Sequence, residues 1–273
     1  MQRGNRGRCF AALLLVAAIG AMDAANAKKI SFGGESIQVR GVTKGAVENN
    51  ATVMRLQTNR GDIETRYHAA AANAPADARK LGVVWVGGAG GGLDGPARGL
   101  YPAACEQLQA RGIAGLRLHY RKPNALEDCI LDTLAGVAFL VQEGATEVAV
   151  VGHSFGGAVV ISAAAVSPHV KAVVPMSSQT YGTELARSVA PRPMLLIHGT
   201  ADTVLSPICS RQIYAAAREP KEIKLYPEAG HGLDEVRQEV LDQLVSWIPQ
   251  KLAGSKRSYV CRVGSMFINP RAL

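Results

Sequence analysis

The stretch Glu147-Val148-Ala149-Val150-Val151-Gly152-His153-Ser154-Phe155-Gly156-Gly157-Ala158 decides how this chain is read. Glu147 to Val151 has the apolar character of a strand buried on both faces, and it runs straight into Gly152. Phe155 to Val166 then reads as a helix. Between them, Gly152-His153-Ser154-Phe155-Gly156 fits the pattern G-x-S-x-G. A strand-to-helix elbow is too tight for bulky neighbours, so the two glycines relieve the crowding while the Ser154 hydroxyl stands above the sheet edge. The helix that starts after Ser154 aims free N–H groups and a positive dipole end at a reacting carbonyl. The pattern alone would equally suit a glycine-rich turn; its place between strand and helix points to a nucleophile.

Working outward, the same alternation continues on both sides. Thr52 to Thr58 and Asp62 to His68 read as two strands joined by Asn59-Arg60-Gly61. Leu81 to Val86, Ile113 to Tyr120, Val170 to Pro175, Pro193 to His198 and Glu222 to Tyr226 are further strands. Helices are expected near Tyr101 to Ala110, Leu126 to Val141, Gly182 to Ser188, Ser210 to Arg218 and Leu233 to Ile248. This order predicts an α/β fold: a mostly parallel twisted sheet with an N-terminal antiparallel hairpin, helices on both faces and no lid domain. The expected organisation is a signal peptide over residues 1–27, a polar leader over 28–51, one catalytic domain over 52–250 and a basic, disordered tail over 251–273.

A serine hydroxyl is a poor nucleophile at neutral pH, so Ser154 needs a histidine to take its proton and a carboxylate to fix that histidine's tautomer. His231 lies in Ala229-Gly230-His231-Gly232, a loop between the last strand and the last helix. Asp202 lies in His198-Gly199-Thr200-Ala201-Asp202, directly after a strand. The order Ser, Asp, His is the one this elbow expects. His153 reads as a packing residue and His198 as a local hydrogen-bonding group, while Asp234 suits a helix-capping role and Asp132 a solvated helix charge. The loop Gly87-Gly88-Ala89-Gly90-Gly91-Gly92 lets backbone approach a substrate closely, so the oxyanion-binding amides are expected from Phe155 and from Gly88 or Ala89. A nucleotide-phosphate loop is excluded, since neither G-x-G-x-x-G opening a helix nor G-K-[ST] occurs. Ser178, Gln179 and Tyr181 follow a strand at the active edge and are candidates to line the substrate pocket; they equally suit ordinary turn positions.

Together, Val150 to Gly157, Leu196 to Asp202 and Ala229 to Gly232 resemble the α/β-hydrolase superfamily over about residues 52–250. The short, lidless organisation is similar to dienelactone-hydrolase-like proteins and, more loosely, to acylaminoacyl and prolyl peptidases. The resemblance implies a triad of Ser154, Asp202 and His231, a two-amide oxyanion hole, and no metal or organic cofactor. One departure is clear: dienelactone hydrolases carry cysteine where this chain has Ser154, so their particular substrate is not carried over. The expected reaction is hydrolysis of small soluble carboxylic esters through an acyl-enzyme. The alternatives are peptidase or amidase chemistry on the same triad, and a non-catalytic ligand-binding homologue.

Charge bears on partners. The chain carries a formal +8, but residues 1–27 hold +2 and residues 251–273 hold +5, leaving +1 for residues 28–250. A nearly neutral core lacks the phosphate-neutralising patch that nucleic-acid binding needs, so no nucleic-acid partner is expected. At the N-terminus, three arginines precede the apolar run Cys9 to Ile19 and the small-x-small site Ala25-Asn26-Ala27. This reads as a signal peptide cleaved near Ala27, giving a secreted or periplasmic protein; the run is short of the roughly 20 residues that a stable membrane anchor needs. Cys105, Cys129, Cys209 and Cys261 then remain, with three complete pairings or isolated buried thiols open. No zinc-type spacing is present, Asn50-Ala51-Thr52 is a glycosylation sequon, and nothing signals an oligomeric state.

Overall fold

The computed structural model of the chain describes residues 20–21 and 29–263. The expected signal peptide, Gly20 and Ala21 apart, and residues 264–273 lie outside the described residues. The strands are β1 (Gly20–Ala21), β2 (Lys29–Phe32), β3 (Glu35–Glu48), β4 (Ala51–Thr58), β5 (Ile63–His68), β6 (Leu81–Val86), β7 (Ala114–His119), β8 (Glu147–His153), β9 (Val170–Met176), β10 (Met194–Gly199) and β11 (Lys221–Tyr226). The helices are α1 (Pro96–Ala110), α2 (Leu126–Gln142), α3 (Phe155–Val166), α4 (Ile208–Ala216) and α5 (Arg237–Val263). The sheet runs β1-β3-β4-β5-β7-β6-β8-β9-β10-β11, with β2 paired to β3. From β6 to β11 every pairing is parallel, whereas β3, β4, β5 and the β5–β7 contact are antiparallel. This is the α/β-hydrolase architecture expected from the sequence.

Period-two alternation distributes the central strands between two cores, because successive side chains of a strand point to opposite faces. Val84 and Val86 of β6, with Val148 and Val150 of β8, pack against α2 and α3. Val83 and Trp85, with Ala149 and Val151, pack against α1 and α5. The chain leaves β6 for β7 on one side and returns to β8 on the other. That reversal opens a crevice at the carboxyl ends of β6 and β8, where open α/β sheets bind ligands.

Three expectations need correction. Residues 28–51 are not a leader but the hairpin β2–β3, with Ile37 and Val39 buried in the core. Their apolar residues are too few to stand out, yet they alternate as a half-buried strand does. The helix expected near Gly182 to Ser188 is a 3-10 stretch, Glu184–Ser188. The tail's disorder is also overturned as far as Val263, since α5 runs unbroken through Arg257 and Arg262 to that residue. Lys251, Leu252 and Ala253 are good helix formers, so a helix already nucleated by core contacts of Trp247 and Ile248 runs past the expected boundary. Cys105 and Cys129 are buried free thiols and Cys209 is a partly buried one.

Asp132 is likewise no solvated charge: it is fully buried in α2 against Arg121, whose side chain is 4% exposed. α2 is wedged between the sheet, α3 and the β2–β3 hairpin, which leaves it little face for solvent. One Asp132 oxygen accepts from the Arg121 guanidinium and the other accepts from the Arg121 amide at 2.9 Å. Burial raises the carboxyl's pKa despite that partner, so the pair ties β7 to α2 without a large net gain. Asp132→Ala would leave a buried guanidinium with Asp128, 3.4 Å away, as its remaining carboxylate and with the Arg60 carbonyl, at 3.0 Å, as a neutral acceptor. We expect a loss of about 3–5 kcal/mol in unfolding free energy. Urea denaturation measures it, and a loss under about 1 kcal/mol would show the pair to be dispensable.

Candidate active site

Ser154 sits between β8 and α3 at φ 58° and ψ −123°, a conformation that L-residues avoid and that structures retain where the surroundings enforce it. The enforcement is visible. A Cβ on Gly152 would lie 2.1 Å from the Gly156 carbonyl oxygen, and one on Gly156 would lie 2.2 Å from that of Gly87, so only glycine fits either position. The Ser154 amide donates to the Met176 carbonyl at 2.8 Å, and the Ser154 carbonyl accepts from Gly157 at 2.9 Å. Ser154 therefore caps α3, whose residues Phe155 to Ala164 are all buried.

Asp202 and His231 follow β10 and β11, which are adjacent and parallel, so the loops after them emerge side by side. Backbone bonds join those loops: Thr200 donates to Tyr226 at 2.8 Å and Ala201 to Ala229 at 3.0 Å. Gly199 makes the contact possible, since a Cβ there would lie 2.1 Å from the Ala229 oxygen. The result is a 2.7 Å contact from His231 Nδ1 to Asp202 Oδ2, with the carboxylate wholly buried and the imidazole partly open. Asp202 Oδ1 accepts from the amides of Val204 and Leu205, each at 2.8 Å. Burial opposes ionisation of Asp202, but the Leu205 amide, His231 and the Val204 amide outweigh it and hold the carboxyl below its usual pKa. The His231 loop is braced from behind by a left-handed turn at Ala97 and Arg98, whose Ala97 amide donates to the Gly232 carbonyl at 2.8 Å.

Two further histidines meet the site: His153 through a contact the sequence does not signal, and His198 through the local hydrogen bonding expected of it. His153, inside the elbow, has Nε2 2.8 Å from the His231 carbonyl and its ring centroid 4.7 Å from the His231 ring. Burial pushes its pKa down to about 4, so at neutral pH it is an uncharged imidazole. A carbonyl only accepts, so Nε2 carries the proton and donates it. His198 is wholly buried, with Nε2 3.1 Å from Asp202 Oδ2. The His153 contact crosses between strands, so spacing gives no signal for it, whereas the His198 contact is local, four residues along the chain from Asp202.

The glycine loop after β6 reaches the same point. A Cβ on Gly88 would lie 3.4 Å from Ser154 Cβ and 3.8 Å from its Oγ, which puts the Gly88-Ala89 backbone beside the hydroxyl, and the amide of Phe155 opens α3 on the adjoining side. His119 Nδ1 accepts from the Gly92 amide at 2.8 Å, and Arg117 from the same strand pairs with Asp94 at 2.9 Å. Next to these anchors opens a cleft of about 340 Å³, lined among others by Arg66, Arg117, His119, Glu64 and Asp94.

The three expected pocket residues do not gather in this way. Ser178 is buried, its hydroxyl donates to the Gln179 carbonyl at 2.9 Å, and it packs on Gly157, which makes it part of the α3 packing rather than a pocket wall. Gln179 turns its amide to the Tyr181 carbonyl at 3.0 Å, and Tyr181 is 72% exposed. Asp234 pairs with Arg98 at 3.4 Å, away from His231 Nδ1. Among the described residues no cluster of three or more His, Cys, Asp or Glu is placed to hold a metal ion, and no helix is long and apolar enough to cross a membrane.

Comparison with known proteins gives the chain a family and a fold. Residues 106–251 match the model of the dienelactone hydrolase family. YfhR, an uncharacterised protein of Escherichia coli (strain K12), is 44% identical over 50 residues, a segment that covers 18% of each chain. The esterase domain of a Rhodothermus marinus protein superposes with a TM-score of 0.59 at 19% identity, covering 77% of this chain and 99% of that one. An α/β serine hydrolase without lid from Xanthomonas campestris gives 0.58 at 17% identity, covering 75% and 98%. At such identities the structural likeness speaks to the fold.

Proposed function

The chain belongs to the dienelactone hydrolase family and is a hydrolase, and we propose that it cleaves small soluble carboxylic esters through an acyl-enzyme on Ser154. The observation that carries this reading is the elbow itself: a serine at φ 58° and ψ −123° between two glycines that no other residue could replace. Ser154 Oγ attacks the ester carbonyl as His231 Nε2 takes its proton, while Asp202 holds Nδ1–H and stabilises the imidazolium. The amides of Phe155 and of Gly88 or Ala89 receive the oxyanion. His231 then protonates the departing alcohol, and water repeats the sequence on the acyl-enzyme.

Ser154 stands where the resemblance to true dienelactone hydrolases implies a cysteine, and this makes the partner histidine indispensable, since a hydroxyl, unlike a thiol, has no appreciable anionic fraction at neutral pH. Parallel assays of p-nitrophenyl acetate and of short peptide p-nitroanilides test the assignment. Ester turnover is expected to exceed amide turnover by about two orders of magnitude in kcat/KM, about 2.7 kcal/mol in transition-state stabilisation. Equal or greater amide turnover would establish the peptidase alternative.

A further inference from the structure

His198 occupies an unusual place: it is the second-last residue of β10, four residues before Asp202, and its side chain is wholly buried. Its Nε2 faces two groups that only accept, Asp202 Oδ2 at 3.1 Å and the Leu205 carbonyl at 3.0 Å. Nε2 must therefore carry a proton. Its Nδ1 lies 2.7 Å from the Ser210 hydroxyl at the start of α4, also wholly buried, and a hydroxyl can donate to a bare ring nitrogen. Ser210 thus complements the neutral Nε2–H tautomer. The ionisable groups around this ring are Asp202, His231 and His153.

We infer that His198 is a positioning residue for the acid: its Nε2–H, with the tautomer held by Ser210, locks Asp202 Oδ2 onto His231. This rests on the proposal that Ser154, His231 and Asp202 act together. The torsion about Cβ–Cγ of an aspartate is soft, and two amides on Oδ1 restrain one oxygen alone. His198 pins the second oxygen, the one that also contacts His231. It also shares the charge on Oδ2, so Oδ2 stabilises a protonated His231 less than an otherwise free carboxylate oxygen would. The base is thereby kept available for the Ser154 proton at lower pH.

The test compares wild type with His198→Phe, His198→Gln and Ser210→Ala in kcat, KM and the pH profile of kcat/KM on an activated ester. For His198→Phe, kcat falls about tenfold with KM nearly unchanged, and the acid limb of kcat/KM moves to higher pH. His198→Gln, which restores an N–H near the place of Nε2, recovers most of the rate and moves the limb back. Ser210→Ala shifts the limb in the same sense as Phe by a smaller amount, and it carries the test if His198→Phe does not fold. An acid limb unmoved in both His198→Phe and Ser210→Ala, or in Ser210→Ala alone if Phe fails to fold, overturns the inference, whatever happens to thermal stability. Fluorophosphonate labelling separates the two levels. Wild type that does not label at Ser154 overturns the underlying reading, whereas labelled wild type with unmoved limbs overturns the role of His198 alone.

Discussion

Ser154→Ala is expected to lower kcat on an activated ester by about 10⁴-fold or more while leaving KM and the fold almost unchanged. The size of the loss follows from what remains. Without Oγ there is no covalent intermediate, and His231 and Asp202 have no nucleophile to activate, so only the oxyanion amides and substrate binding act on water. The fold is spared because alanine and serine meet the same steric cost at φ 58° and ψ −123°, so the substitution neither adds nor relieves strain. The bonds that build the elbow, from the Ser154 amide to Met176 and from Gly157 to the Ser154 carbonyl, are backbone bonds and survive. Steady-state kinetics and mass mapping of a fluorophosphonate adduct give the answer. A variant that keeps more than about one-hundredth of the rate, or labels as wild type does, excludes Ser154 as nucleophile.

Much of the architecture was legible because the parallel part of the sheet writes itself as continuous apolar runs. Leu81 to Val86 and Phe155 to Val166 begin and end where expected. The elbow was legible for a different reason: its glycines are demanded by backbone contacts, and such a demand leaves its mark in sequence. The β2–β3 hairpin was not legible. Half its residues face water, and in Glu35–Glu48 only Ile37, Val39 and Gly41 are buried, too thin a pattern against so many polar neighbours. Asp132 was misread because its partner Arg121 precedes α2 by several residues, at the end of another element. A charge on a helix looks solvated until the neighbouring strand is in place.

For the site the division is similar. Ser154, Asp202 and His231 could be named because each lies in a loop that follows a recognisable strand, and parallel strands present those loops at one edge. Of the histidines around them, His153 could not be read, since it touches the carbonyl of a residue 78 positions away, while the local hydrogen bond expected of His198 is made to Asp202, four residues on. Ser178, expected after β9 at the active edge, is buried by the close approach of Gly157 in α3, a contact that its position after a strand does not reveal. Strand ends tell which residues reach the edge, and packing tells which of them face the substrate.

Asp202→Asn is expected to be as damaging as a truncation, although it is isosteric. An amide has one acceptor and one donor end, and the geometry decides which goes where. Oδ1 receives two backbone N–H groups, from Val204 and Leu205, so the amide oxygen must take that place. The NH₂ group is then left facing His231 Nδ1 and the N–H of His198 Nε2, where Oδ2 now accepts from both. Toward His231 it can only donate, which requires Nδ1 to be bare and puts the proton on Nε2. That nitrogen must be empty to take the Ser154 proton, so the base is held in the wrong tautomer. The reverse amide orientation offers no escape, because it would set the NH₂ against two backbone donors. We expect kcat to fall by about 10⁴-fold at neutral pH, with Asp202→Asn no more active than Asp202→Ala. If Asn instead retains a rate within tenfold of wild type, or clearly exceeds Ala, the carboxylate does not set the tautomer of His231. The catalytic proton would then be managed by a different pair of groups.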